Sequence, residues 1–229
     1  MFLPLHDDTP LKVIRFQYMS GLIAVVNVVA LVYAGHLMAG EPVIFYSFGA
    51  IPALLTDRAV IDPALAPIPE PLTLLTYMFV HGGWLHLISN LLFLWVFADN
   101  VEDAYGHVGF VAFYLFCGVA AGLAHVVTHP ASEIPLVGAS GAVAGVLGGY
   151  LVLFPKARLW ILLFMRLPIR LSAYWALVGW LGFQFIAAVV PQDDIEIAWW
   201  AHIGGFATGF ALTWVLRGPL RRRLFAPQS

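Results

Sequence analysis

The chain has 229 residues, of which 61% are hydrophobic and 10% charged, with a mean hydropathy of +0.88. A soluble domain is nearer half apolar and a quarter charged, so this composition excludes an ordinary water-soluble protein. The long apolar runs predict membrane helices rather than a barrel. The net charge of −2 gives no basis for nucleic-acid binding, and the single cysteine, Cys117, excludes a disulfide framework.

Six spans are predicted, in one domain covering residues 1–229. The first is 16–38, preceded by Lys12 and Arg15; its length and poor cleavage pattern favour a retained helix over a signal peptide. A long outer loop, 39–71, is rich in proline and turn residues, and loops of this length are usually functional or disordered. The next spans are 83–101, approached by the apolar stretch Leu72–Val80, and then 108–127. The fourth, 140–154, opens on Ser140 between glycines; 172–190 and 197–216 complete the set. Leu159–Ile169 is apolar but broken by Arg166 and Pro168, and reads as interfacial. The expected fold is an all-α membrane protein, a six-helix bundle.

Lys and Arg set the orientation. With six spans and the N-terminus inside, Lys12, Arg15, Lys156, Arg158, Arg166, Arg170, Arg217, Arg221, Arg222 and Arg223 are cytoplasmic and only Arg58 lies outside. The C-terminus is then also inside. The acidic group Asp99, Glu102 and Asp103 falls in a cytoplasmic loop.

This topology runs the second, fourth and sixth spans in one direction, so depth can be compared along them. Ser140 precedes Lys156 by 16 positions, about 24 Å of helix at ~1.5 Å per residue. His202 precedes Arg217 by 15, about 22 Å, and His86 precedes Asp99 and Glu102 by 13 and 16, about 20–24 Å. Asn90 shares the face of His86 by i, i+4 spacing. Four hydrogen-bonding side chains thus fall in one slab of the outer half of the membrane, where polar groups are functional candidates by default. Gly141, Gly145 and Gly149 on the fourth span, and Ala201, Gly205 and Gly209 on the sixth, form small-residue stripes that let backbones approach closely. Close backbones would bring the Ser140 hydroxyl and His202 imidazole within reach, as an activated serine requires. His107, His125 and His129 show no agreement in depth and read as structural. A metal site from His81, His86 and His202 lacks a carboxylate partner and a His-Glu-x-x-His pattern.

His81-Gly82-Gly83-Trp84-Leu85-His86-Leu87-Ile88-Ser89-Asn90, then Gly138-Ala139-Ser140-Gly141, then Ala201-His202-Ile203-Gly204-Gly205 resemble the three signatures of the rhomboid intramembrane serine proteases, over about residues 70–216. The resemblance implies a six-helix bundle with a cavity open to the outside, in a bacterial cytoplasmic membrane. Ser140 would be the nucleophile and His202 its base, without a third carboxylate. His86, Asn90 and the Ser140 backbone N–H would form an oxyanion hole, with His81, Gly138 and Gly141 in structural support. Substrates would be transmembrane helices of other proteins in the lipid bilayer, cut near their outer ends, and no metal, nucleotide or other cofactor is implied. A non-catalytic member that binds transmembrane helices is the alternative. Two features depart from the pattern. The family often carries an aromatic residue four positions after the serine, where this chain has Ala144, and a Trp-Arg pair where this chain has Leu72-Thr73.

Overall fold

A computed structural model describes residues 2–37, 41–163, 166–190 and 197–225. Met38, the expected end of the first span, lies outside the described residues, as do positions 39–40 of the long loop and 164–165 of the apolar stretch. The chain is mostly helical. Among the described residues, six longer helices carry the bundle: α1 (Tyr18–Leu37), α5 (Trp84–Tyr105), α6 (His107–Thr128), α7 (Ser140–Leu153), α8 (Ala173–Val189) and α9 (Trp199–Phe225). Of these, α5 and α6, 22 residues each, are long and apolar enough to cross a bilayer; α7 and α8 are apolar but shorter.

Helix α7 lies at the centre, with every residue after Ser140 buried. It is packed between α6 and α9 through glycine. Added Cβ atoms at Gly141 and Gly145 would lie 2.6 Å and 2.4 Å from those of Ala121 and Cys117 on α6. One added at Gly148 would lie 2.3 Å from the Phe206 carbonyl oxygen on α9. Pro155 cannot continue the helix, so α7 ends at Leu153. Its short length sets its first residue, Ser140, within the bundle.

From Glu41 on, the long loop is folded as a cap of short helices and turns. It holds α2 (Glu41–Phe48), α3 (Pro52–Leu55) and, further on, α4 (Thr73–Thr76), with 3₁₀ turns at Pro63–Leu65, Glu70–Leu72 and Tyr77–Phe79. Ala50 and Leu136 exchange backbone hydrogen bonds of 3.0 and 2.8 Å, and the Thr76 hydroxyl donates to the Phe48 carbonyl at 2.7 Å. The cap is thereby tied to the segment that leads into Ser140.

Two expectations need correction at the opposite end of the bundle. The protein is not all-α: β1 (Phe2–Asp7), β2 (Arg158–Leu163) and β3 (Leu167–Ser172) form an antiparallel sheet in that order. The stretch read as interfacial is the β2–β3 part of it. Its alternation of exposed Arg158 and Trp160 with buried Leu159 and Ile161 is a period of two, the pattern of a half-buried strand. Nor do Glu102 and Asp103 lie in a loop. They are in the last turn of α5 and are 0% and 1% exposed. Asp103 accepts hydrogen bonds from the backbone N–H groups of Lys12, Val13 and Ile14 at 2.7–2.8 Å. Glu102 accepts from those of Met19 and Ser20 at 3.0 and 2.8 Å, satisfying donors that the first turn of α1 leaves free. The α5–α6 turn is made by Gly106, whose φ of +71° disfavours any residue with a Cβ. At the same end Arg223 of α9 donates to the Asp103 carbonyl at 3.3 Å.

Candidate active site

Ser140 is the first helical residue of α7, so its backbone N–H is among the donors that an α-helix leaves without an internal partner. The turn into it depends on Gly138, with a φ of +116°; a Cβ there would lie 2.6 Å from the His86 ring. Gly138 N–H donates to the Tyr77 carbonyl at 2.9 Å, and the buried Tyr77 hydroxyl donates to the Gly118 carbonyl at 2.7 Å. Ala139 N–H reaches the Nε2 of buried His81 at 3.4 Å. The approach to the serine is thus held from the 3₁₀ turn before α5 and from α6.

Four predicted residues meet here. Ser140 Oγ lies 2.8 Å from His202 Nε2. His86 and Asn90, one turn apart on α5, approach Gly138 from the other side: the Gly138 Cβ position is 2.6 Å from His86 Nε2 and 3.8 Å from Asn90 Nδ2. Asn90 is 6% exposed, and its Nδ2 has no hydrogen-bond partner among the described residues. A buried donor left unpaired is unfavourable by about 1–3 kcal/mol. The Nδ1 of His86 accepts from the Gly82 N–H at 3.4 Å, which in the neutral ring places the proton on Nε2, the nitrogen turned toward Gly138. The rings of His81 and His86 meet edge-on at 5.1 Å. Gly141 lies against Ala121 and Tyr77.

The four residues open onto a cavity of about 710 Å³ lined by apolar side chains, among them Phe93, Val143, Leu147 and Phe183. Ala144 lies in its wall. The place of an aromatic neighbour of His202 is taken from other elements. Trp180 of α8 lies 6.0 Å from the imidazole at 36°, and Trp199 lies 6.2 Å away, edge-on. His202 Nδ1 is 2.9 Å from Oε1 of Gln184, also on α8.

Three cavity residues were missed in the sequence. Gln184 is the lone amide in an otherwise apolar span, a signal of the kind that singled out Asn90. His125 and His129, read as structural, stack at 4.9 Å and line the cavity. The comparison of depths set them aside, but packing turns both His125 of α6 and His129, just past its end, toward the cavity. His107 lies at the other end of α6, where its Nδ1 meets the Glu102 carboxylate at 2.5 Å.

A bundle with apolar side chains outside and a serine–histidine pair in an interior cavity places the protein in the class of helical membrane proteins with a polar internal site. The chain belongs to the rhomboid family, whose Rhomboid domain matches residues 69–219 and whose members are integral membrane proteins. It is 30% identical to RHOMBOID-like protein 5 of Arabidopsis thaliana over 162 residues, 71% of this chain and 49% of that protein. It is 34% identical to Rhomboid protease GluP of Bacillus subtilis over 137 residues, 60% of this chain and 24% of that one. To Putative rhomboid protease YdcA of the same organism it is 27% identical over 150 residues, 66% and 69% of the two chains. The chain thus spans about half of the plant relative and about a quarter of GluP. The family includes intramembrane serine proteases.

Proposed function

We propose that the protein is an intramembrane serine endopeptidase that cleaves transmembrane helices with a Ser140–His202 dyad. The observation that carries this reading is the 2.8 Å contact of Ser140 Oγ with His202 Nε2, together with the buried Nδ2 of Asn90, which has no partner among the described residues. His202 would take the Ser140 proton as Oγ attacks the scissile carbonyl, and return it to the departing amine, leaving an acyl group on Ser140. The oxyanion formed in the attack would be met by Asn90 Nδ2, His86 Nε2 and the Ser140 N–H at the positive end of α7. A helical substrate hides its carbonyls in internal hydrogen bonds, so the site would act on segments that unwind locally.

The bilayer setting is supported by the exterior. Val25, Val29, Trp175, Ile186 and Val215 are all more than half exposed, a surface suited to lipid rather than water. We read six spans in a single domain with both termini inside. Lys12, Arg158, Arg221 and Arg223 then gather at the cytoplasmic end and the dyad lies toward the outer one. Among the relatives above, the one most fully covered is bacterial, in support of a bacterial cytoplasmic membrane.

Labelling of the detergent-solubilised protein with a fluorophosphonate tests the reading. The probe should attach at Ser140 and not label Ser140→Ala. Folded protein that resists the probe would favour the alternative, a non-catalytic member that binds transmembrane helices.

A further inference from the structure

A dyad leaves one nitrogen of its histidine without a chemical task. A neutral imidazole carries one donor and one acceptor nitrogen, and only the acceptor can take a proton from serine. Which nitrogen that is depends on what the other one meets. In this protein the other nitrogen meets an amide: His202 Nδ1 is 2.9 Å from Gln184 Oε1. An amide oxygen only accepts, so this contact keeps the proton on Nδ1 and leaves the Nε2 lone pair to Ser140 Oγ.

We propose that Gln184 is a positioning residue, the third member of the site, which holds His202 from α8 in the tautomer and orientation that the serine requires. The proposal rests on the serine-protease reading above.

Three observations support it. Gln184 is 4% exposed and occupies the inward stripe of α8 with Ala173, Ala176, Leu177 and Ala187. A buried amide is unfavourable in such a stripe unless it is hydrogen-bonded, and the bond it makes is to His202. Trp180, one turn earlier on the same face, flanks the same imidazole, and Trp199 closes another side. Finally, no carboxylate is available for the task. Among the described residues that line the cavity, the titratable ones besides His202 are His86 on α5, His125 on α6, and His129, and none is Asp, Glu, Lys or Arg.

The chemistry follows from the charge of the partner. When Ser140 Oγ–H gives its proton to Nε2 and the Oγ–C bond forms as the carbonyl π pair moves onto oxygen, the ring becomes an imidazolium whose Nδ1–H still donates to Gln184. A neutral amide orients that cation but stabilises it less than a carboxylate would. The orientation of the base is thus set by α8, a helix that carries none of the reacting atoms. At its far end α8 is pinned to the β2 side by Ala173 N–H to the Ala157 carbonyl at 2.8 Å and Tyr174 N–H to the Pro155 carbonyl at 3.0 Å.

The test uses the full chain in detergent with a model transmembrane substrate, reading kcat, KM, the pH–rate profile, fluorophosphonate labelling and thermal unfolding. Gln184→Leu should lower kcat by about 10- to 100-fold, a share of what general base catalysis supplies, with KM and unfolding temperature little changed. Gln184→Glu should restore most of kcat. It should also move the acid limb of the kcat profile to higher pH by about one unit, because a carboxylate at Nδ1 favours the imidazolium. Wild-type kcat in Gln184→Leu, or an unmoved acid limb in Gln184→Glu, overturns the proposal. Should Gln184→Leu fail to fold, the pH profile of Gln184→Glu decides alone. A wild-type protein that neither cleaves nor labels removes the protease reading and this one with it, whereas an active wild type with indifferent Gln184 variants removes only this one.

Discussion

Gly205 of α9 lies against the carbonyl oxygen of Gly141 on α7 so closely that a Cβ in its place would be 2.0 Å from that oxygen. Gly209 stands in the same relation to Gly145, again at 2.0 Å. The two small-residue stripes therefore face each other, and their approach places His202 beside Ser140. Gly205→Leu should force α7 and α9 apart, destabilising the protein by about 1–3 kcal/mol or more and lowering activity with it. Gly179→Ala on α8, where nothing lies within 4 Å, should leave stability unchanged or slightly raised. Thermal unfolding of the two variants is the check, and equal behaviour would mean that the α7–α9 contact does not limit stability.

Ser140→Ala or His202→Ala should each abolish cleavage of a model transmembrane substrate while leaving the unfolding temperature within a few degrees of wild type. Neither side chain is needed for the α7–α9 glycine packing. More than trace cleavage in both variants would defeat the dyad.

Asn90→Ala should lower kcat with little change in KM, because its Nδ2 is offered to charge that exists only in the transition state. Loss of one such donor typically reduces kcat by about 10²–10³. Compensation by His86 and the Ser140 N–H would make the effect smaller, and the double change with His86→Ala should then exceed either single one. A rise in KM alone would make Asn90 a substrate contact or a packing residue.

The N-terminal strand supplies a pH prediction. Asp7 is 6% exposed, and the Tyr150 hydroxyl donates to its carboxylate at 2.5 Å. Burial pushes this carboxyl above its ordinary 3.8, with the Tyr150 and Thr9 hydroxyls pulling part of the way back. A raised value means that the folded state holds the proton more tightly than the unfolded one. The stabilising contribution is complete below 3.8 and is lost as pH rises through the raised value. At pH 7 Asp7→Asn should therefore unfold at a higher temperature than wild type, and the advantage should shrink as the pH is taken toward 4. A gap that stays constant with pH would show that Asp7 is not buried as described.

The helices, and a common level for four polar residues along them, could be read from the sequence, because both follow from local rules. An apolar run long enough to span predicts a helix, and a fixed rise per residue converts a count from Lys156 or Arg217 into a depth. That arithmetic brought Ser140, His202, His86 and Asn90 to one level before any packing was known. It set aside His125 and His129, which packing turns toward the cavity, because a level along a helix does not say which residues face one cavity. The tertiary structure alone decided the rest. The strand character of Phe2–Asp7 becomes stable only by pairing with a segment about 150 residues away, where Asp8 accepts from Arg158 N–H, and no local pattern encodes such a partner. Glu102 and Asp103 read as acids of a cytoplasmic loop until the N-terminal segment and α1 bring their free N–H groups to them. Gln184 stands out in its own span as the lone amide, but nothing in that span names its partner. It becomes the neighbour of His202 only because α8 and α9 pack with Trp180 and Trp199 around one imidazole, a contact fixed by side-chain packing between helices rather than by spacing within either.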